Sequence, residues 1–285
     1  MERANWFAAN GEEPRDIYTF GLPNWHSAVA REHKAAREAA VLFDQTSFAK
    51  YILTGPDAEQ ALQWIASNRV DKPVGSIIYT QMLNDNGGIE CDLTCVRTKF
   101  NEYYITTGTG YATHDFNWIS RNIPSELNAQ LIDVTSSNAV LSLFGPNARD
   151  ILQLVTVNNV SDNGHPFGSA RQISIAGCLV LAMRITYVGE LGWELHLPVD
   201  YAQTVYNKLI EAGSPLGLRN AGYRAIETLR LEKGYRAWSS DIGPDHTPDE
   251  AGLGWAVKMK SNISFKGRDA ITVSYTHLTL PTTPV

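Results

Sequence analysis

The stretch Asn84–Val96, NDNGGIECDLTCV, decides the fold that this sequence predicts. Its first five residues, Asn84–Gly88, tolerate positive φ and therefore predict a tight turn. The flanking runs, Ser76–Leu83 and Ile89–Arg97, are rich in β-branched, aromatic and other apolar residues, so the three parts predict a β-hairpin. Alternation along the second strand places Asp92 in mid-strand on the more polar face, where aspartate is a poor strand former. An edge or solvent-facing position would explain that aspartate without any chemistry.

Bulk composition excludes several classes of protein. The 285 residues are 44% hydrophobic and 19% charged, which is enough to bury the core of one large domain or two smaller ones. A net charge of −6 and the lack of a Lys/Arg block argue against a nucleic-acid or anionic-membrane surface. No apolar run is long enough for a membrane span, and no signal peptide is expected. Cys91 and Cys95 are interpreted as small core residues, and no metal site is predicted.

A repeated strand–turn–helix pattern predicts two related halves. The segments YILTGPDAEQALQWI (51–65) and LSLFGPNARDILQLV (141–155) share a Gly-Pro-Asp/Asn turn with proline just inside a helix start. Further along each half, a carboxylate lies five residues after a turn glycine and precedes a leucine. These carboxylates, Asp92 and Glu194, both fall on the polar side of a predicted strand, and Trp193, Leu195 and Leu197 alternate with Glu194 and His196 on the second of these strands. They are therefore candidates for equivalent positions in the two halves.

Three other segments carry predictions of their own. Trp25–Leu42 is Ala-rich and free of Gly and Pro, which predicts one helix. Gly108-Thr109-Gly110 imitates half of a dinucleotide fingerprint, but the third glycine is missing, so a turn before a helix is favoured. The segment Tyr235–Trp255 predicts a long functional loop, because structureless stretches of that length are uncommon unless they are used.

The sequence resembles the folate-binding aminomethyltransferase family, with the fold of the glycine-cleavage T-protein, over roughly residues 20–271. The motifs that match, in the order of the family, are Leu42–Asp44, Gly55–Ala58, Tyr79 through Leu93, Thr186–Glu190, Trp193-Glu194, Leu229–Gly234 and Thr247–Trp255. A closer resemblance is to the C-terminal half of dimethylglycine and sarcosine dehydrogenases. Its marks are Arg3–Phe7, Gly87–Leu93 and Glu232–Trp238.

This resemblance implies an α+β fold made of two related strand–helix (ferredoxin-like) units, which form the aminomethyltransferase folate-binding fold with a truncated C-terminal barrel. One domain would span residues 1–271, with related halves at about 45–136 and 137–235 and the start of the truncated subdomain at about 246–271. Residues 272–285 are Thr/Pro-rich and out of character, so they are expected to be a foreign tail. The flavin domain of the dehydrogenases would precede this chain, which predicts a fragment of a longer protein.

The resemblance also implies a set of site residues. Asp92 matches the catalytic aspartate beside the reacting folate nitrogen, where a carboxylate can stabilise an iminium and move a proton. Glu194 matches the residue that accepts the pteridine 2-amino group and N3–H bidentately. Tyr79 and Tyr187 match aromatic residues that line the folate. Ile226 replaces an arginine that helps to hold folate in the aminomethyltransferases, which leaves binding of the folate glutamate tail open.

The predicted function is that of the tetrahydrofolate-binding, one-carbon-transferring part of a dimethylglycine/sarcosine dehydrogenase-like enzyme, which captures the methylene unit of an oxidised N-methyl amine. The expected cofactor is tetrahydrofolate, with FAD only in the N-terminal half of the full-length enzyme, and the expected partner is a flavin dehydrogenase domain or subunit. The expected location is the cytoplasm or, in a eukaryote, the mitochondrial matrix. A stand-alone aminomethyltransferase of a glycine-cleavage-type system stays open, although Glu90-Cys91-Asp92 replaces its usual paired aspartates. So does a non-catalytic folate-binding module.

Overall fold

The computed structural model describes residues 2–272, and these residues form two compact units with one β-sheet each. The six-stranded unit comprises Met1–Phe48 and Thr135–Tyr235, and the five-stranded unit comprises Ala49–Val134 and Arg236–Val285. The mixture of helices and sheets confirms the predicted α+β class. Apart from Thr272, the predicted foreign tail lies outside the described residues.

The helices and strands alternate irregularly along the chain. In order they are α1 His26–Glu38, β1 Ala40–Asp44, β2 Ala49–Thr54, α2 Ala58–Ile65, β3 Ile77–Leu83, β4 Ile89–Lys99, β5 Glu102–Thr107, α3 Ala112–Asn122, β6 Gln130–Asp133, β7 Asn138–Phe144, α4 Ala148–Val155, β8 Ala170–Ile175, β9 Cys178–Met183, β10 Gly192–Pro198, α5 Ala202–Gly213, β11 Leu218–Asn220 and α6 Tyr223–Glu232. None of these helices, within residues 2–272, is long and apolar enough to cross a bilayer.

The five-stranded unit contains the predicted hairpin. Its strand order is β3-β4-β5-β2-β6 with antiparallel neighbours, and α2 and α3 pack on the apolar face. The hairpin prediction is confirmed, since β3 and β4 pair around the turn and Gly87 there has a φ of 84°. β4 is an interior strand, but its pairing with β5 begins at Thr94, so Asp92 is paired with β3 alone among the described strands. The segment 242–271 contributes Ile242, Phe265 and Ile271 to a small cluster with Leu83 and other apolar residues at the hairpin end.

The six-stranded unit has the order β11-β1-β7-β10-β9-β8. Only β1 and β11 pair in parallel, and the other neighbours are antiparallel. One apolar face packs with α4 and α5, where the predicted alternation of Trp193, Leu195 and Leu197 toward the core is confirmed. A second cluster joins α1 and α6 through residues such as Phe43 and Leu229.

The prediction of one helix over Trp25–Leu42 is wrong at its C-terminal end. The helix ends at Glu38, and Ala39 leaves the helical region with φ −141° and ψ −101°. Ala40–Asp44 is instead the strand β1, which pairs with β7 and β11. Its Val-Leu-Phe run favours a strand. Pairing with β7 and β11 also gives hydrogen-bond partners to its backbone N–H and C=O groups.

The two Gly-Pro turns have the same geometry. Gly55 and Gly145 both have a φ of 133°, and the carbonyl of each accepts a 3.0 Å hydrogen bond from the first residue of the following helix. A Cβ atom at either glycine would lie 2.4–2.5 Å from a backbone carbonyl oxygen, so no side chain fits there. This correspondence supports two related halves, although their limits at about 45–136 and 137–235, and the truncated C-terminal barrel, stay predictions.

The sheet orders correct one inference from the repeat. If β2 corresponds to β7, then β3-β4-β5-β2-β6 matches β8-β9-β10-β7-β1 strand by strand. Asp92 lies on β4, which matches β9, whereas Glu194 lies on β10, which matches β5. The predicted equivalence of these two carboxylates is therefore wrong, because equal spacing from a turn glycine does not specify which strand of the sheet follows it.

Candidate functional site

Asp92 is held by two side chains of the neighbouring strand β3. Gln81 lies opposite Asp92 in the β3–β4 register, and its Nε2 donates a hydrogen bond of 2.9 Å to Asp92 Oδ1. The hydroxyl of Tyr79 also donates a hydrogen bond to the Asp92 carboxylate. Tyr79 and Gln81 are two residues apart, so both side chains project from the same face of β3. The structure thus brings the predicted catalytic residue together with one of the predicted folate-lining tyrosines.

The electrostatic environment makes Asp92 a weak acid. Its pKa is raised to about 6, mainly by burial and to a smaller extent by the charge of Asp115. The hydrogen bonds from Tyr79 and Gln81 act in the opposite direction and lower the pKa. A carboxyl group with a pKa close to neutrality can both accept and return a proton under cellular conditions. A carboxyl group with a raised pKa is an indicator of a functional site, and a solvent-facing aspartate would not have such a raised pKa.

An exposed aromatic surface adjoins this carboxylate. The ring of Tyr79 stacks on Trp255, with centroids 5.6 Å apart and planes at 29°. Trp255 is 72% exposed, so one ring face stays open to solvent. The predicted long loop Tyr235–Trp255 thus contributes a site residue, whereas its Trp238 packs edge-on against Tyr111 with centroids 4.7 Å apart.

Gln81 and Asp115 are the residues of this site that the sequence analysis missed. Gln81 is fully buried, and its Oε1 has no hydrogen-bond partner among the described residues. That oxygen is an unsatisfied acceptor in the side chain that holds Asp92, and such groups are rare in folded proteins. The sequence signal for Gln81 was the hairpin itself, because the turn length sets which residue lies opposite Asp92. Asp115 has no such signal, since it lies on α3.

Glu194 lies in the six-stranded unit, on β10 between Ser142 of β7 and Met183 of β9. It projects from the face opposite the core residue Trp193, as predicted, and its side chain is only 13% exposed. His196 Nε2 lies 3.5 Å from one Glu194 carboxylate oxygen. A carboxylate in that position can accept a donor pair from a planar heterocycle.

Tyr187 follows β9 in the same unit. Its ring stacks on Tyr235, with centroids 6.1 Å apart and planes at 15°, and packs against the cluster of α1 and α6. Thr186 accepts hydrogen bonds from the backbone of the turn that follows, which ends at Gly189. Tyr79 and Asp92 therefore belong to one unit and Tyr187 and Glu194 to the other, and the roles of the four residues remain predictions.

A surface groove in the five-stranded unit lies elsewhere. It has a volume of about 1140 Å³ and is lined by the ends of α2 and α3, with Trp64, Phe100 and Arg121 among its walls. Neither Asp92 nor Tyr79 lines it. We therefore assign the candidate site by its chemistry and not by the volume of this groove.

Comparison with known proteins agrees with this geometry. The family model described as the GCVT N-terminal domain matches residues 1–261. The chain belongs to this family. The crystal structure of the glycine cleavage system aminomethyltransferase T from Bartonella henselae is 27% identical, covers 88% of this chain and 67% of that protein, and superposes with a TM-score of 0.78. The predicted resemblance and the aminomethyltransferase fold are thereby confirmed.

Relatives of this GCVT-family chain include dehydrogenases and aminomethyltransferases. Mitochondrial sarcosine dehydrogenase of Homo sapiens is 41% identical over 270 residues, which cover 90% of this chain and 29% of the relative. The aminomethyltransferase of Halothermothrix orenii is 37% identical over 257 residues, which cover 90% of this chain and 71% of the relative. The chain thus spans less than a third of the dehydrogenase and most of the aminomethyltransferase. It is an aminomethyltransferase-like domain, the coarser function that both kinds of relative share.

Proposed function

We propose that this domain binds tetrahydrofolate and transfers a one-carbon unit to it, as the folate-dependent part of a dimethylglycine/sarcosine dehydrogenase-like enzyme. The observation that carries the proposal is the Asp92 carboxyl group, which has a pKa of about 6 and is held by Tyr79 and Gln81 beside an open aromatic ring. The 41% identity to sarcosine dehydrogenase supports the dehydrogenase context. A flavin domain or subunit would supply the oxidised N-methyl amine, in the cytoplasm or the mitochondrial matrix.

Each candidate residue has a separate task in this proposal. Bound tetrahydrofolate supplies the nucleophilic nitrogen that receives the carbon. Ionised Asp92 would stabilise the positive charge of an iminium carbon donor and take up the proton that the attacking nitrogen loses. It would then give this proton to the donor amine, which leaves as its bond to the transferred carbon breaks. Tyr79 and Gln81 hold the carboxylate in place through their hydrogen bonds. Glu194 accepts the donor pair of the pteridine, and the Tyr187 ring offers it an apolar face.

Two variants separate binding from transfer. Titration calorimetry measures the affinity for tetrahydrofolate, and single-turnover kinetics measure transfer from an iminium made from formaldehyde and N-methylglycine, after subtraction of the rate without protein. Asp92→Asn should lower the transfer rate about 10²–10⁴-fold and leave affinity within a few-fold. Glu194→Gln should weaken affinity, because an amide cannot accept both pteridine donors. If a folded wild-type chain neither binds tetrahydrofolate nor accelerates transfer, the proposal is wrong.

A stand-alone aminomethyltransferase is the second candidate, and the 71% coverage of the Halothermothrix orenii protein favours it. Such an enzyme takes its aminomethyl group from a lipoyl carrier protein. Transfer that depends on an aminomethylated lipoyl carrier, with no response to a free iminium, would select this candidate over the dehydrogenase context. Glu90-Cys91-Asp92, in place of paired aspartates, favours the first proposal.

A further inference from the structure

The first turn of α3 brings two metal-binding side chains to the start of β4. His114 Nδ1 lies 2.9 Å from Asp115 Oδ1, and the thiol of Cys91 donates a hydrogen bond to the same carboxylate. One ligand atom from each of Cys91, His114 and Asp115 lies within 4.8 Å of the other two. A sulfur, an imidazole nitrogen and a carboxylate oxygen therefore converge on one point, although the residues lie on different elements.

We propose that Cys91, His114 and Asp115 bind one divalent metal ion of the Zn²⁺ class. Zn²⁺ selects thiolate, imidazole and carboxylate ligands at about 2.0–2.3 Å in tetrahedral geometry, which separates neighbouring ligand atoms by about 3.5 Å. The observed separations of up to 4.8 Å need only a small contraction to reach that distance. A small rotation of the His114 ring can supply it, because this side chain is 43% exposed.

The surroundings of these three residues match those of a metal site. The hydroxyl of Thr107 donates a 2.5 Å hydrogen bond to Asp115 Oδ2, which orients the carboxylate. Trp238 packs on the His114 ring with centroids 5.5 Å apart and limits its motion. Such outer contacts orient metal ligands in known sites. A carboxylate oxygen of Glu90 lies 3.4 Å from His114 Nε2, so the ring nitrogen that faces away from Asp115 also has a partner.

The site is buried on one side and exposed on the other, so an ion could enter from the exposed side. Cys91 and Asp115 are 1% and 2% exposed, so they form the floor of the site, and the exposed His114 forms its open side. Formation of the metal–sulfur bond releases the Cys91 thiol proton to solvent.

The location of this site suggests a role in holding the candidate active site. The pairing of β4 with β5 begins at Thr94, so the part of β4 that contains Asp92 has β3 as its only ladder partner among the described strands. A metal ion on Cys91 would join α3 to this part of the strand, one residue from Asp92. Metal binding is nevertheless independent of the proposed folate chemistry and can be measured without it.

Cobalt titration of the 285-residue chain, after removal of metal by a chelator, tests the site. One equivalent of Co²⁺ should bind and give a thiolate-to-metal charge-transfer band with intense tetrahedral visible bands, and Zn²⁺ should displace it. Cys91→Ser should abolish the charge-transfer band, and both this variant and His114→Ala should weaken affinity by at least about 100-fold.

Cys95→Ser is the matched control, because Cys95 is fully buried on the same face of β4 and lies outside the cluster. It should lose as much stability as Cys91→Ser in the metal-free state and retain the cobalt spectrum. His114→Ala changes an exposed side chain, so it should fold even if the buried substitutions do not. A folded wild-type chain that binds no stoichiometric metal overturns the proposal. So does a charge-transfer band that survives Cys91→Ser and disappears in Cys95→Ser.

Discussion

Replacing Gln81 with leucine should raise the pKa of Asp92. The substitution removes the 2.9 Å hydrogen bond to Asp92 Oδ1, which lowers that pKa. A hydrogen bond to a charged group contributes roughly 1.5–3 kcal/mol, and one pKa unit corresponds to about 1.36 kcal/mol. The pKa should therefore rise by about one to two units from its value of about 6. Leucine also removes the unpartnered Oε1 of Gln81, so the fold should tolerate the change.

The assay is the pH dependence of one-carbon transfer, with a carbon-13 NMR titration of the Asp92 carboxyl group as an independent measurement. Transfer requires the ionised carboxylate, so the rate falls as pH decreases through the pKa, and in Gln81→Leu this fall should begin at higher pH. Tyr79→Phe should move the profile in the same direction, because it removes the other hydrogen bond. Thr94→Val, the next position on the same face of β4, should not move it. An acidic limb that stays in place or moves to lower pH in a folded Gln81→Leu chain would refute this reasoning.

Three further predictions concern stability. Asp92→Asn should stabilise the domain at pH 7 by roughly 1–3 kcal/mol, because ionisation of an acid with a pKa raised to about 6 opposes folding. Chemical denaturation should show this difference decrease as pH falls below about 6 and vanish toward about pH 3, where the wild-type group is protonated in both states. Burial lowers the pKa of Lys258 to about 7, so between pH 7 and 10 this lysine is protonated in the unfolded chain and neutral in the folded one. The free energy of unfolding should therefore rise over this pH range. Lys258→Met should abolish that rise, and an unchanged rise in the variant would contradict the lowered pKa of Lys258. Gly145→Ala should lower the free energy of unfolding by about 2–4 kcal/mol, because the φ of Gly145 is 133° and the new Cβ would lie 2.5 Å from the Ala39 carbonyl oxygen. Gly110→Ala is the control: a Cβ there has no neighbouring atom within 4 Å, so thermal unfolding should be nearly unchanged.

Local patterns in the sequence were sufficient for the hairpin, the Gly-Pro turns and the alternation along β10. Each of these depends on interactions between residues close in the chain, such as the positive φ of Gly87 or the period of two at Trp193, Leu195 and Leu197. The Ala-rich run before Leu42 shows where this reasoning ends. The residues Ala40–Asp44 form a strand because β7 and β11, far away in sequence, provide its partners.

For the candidate site, too, some features could be predicted from the sequence and others only from the tertiary structure. The sequence alone, through its motifs, singled out Asp92, Tyr79, Tyr187 and Glu194, and the hairpin register already contained the Gln81–Asp92 pair. The equivalence inferred for Asp92 and Glu194 is wrong because spacing along the chain carries no information about strand order. Only the tertiary structure decided that the charge of Asp115 acts on Asp92, and that His114 and Asp115 meet Cys91. Burial and contacts between distant elements set these properties, and they depend on how helix α3 packs on the sheet.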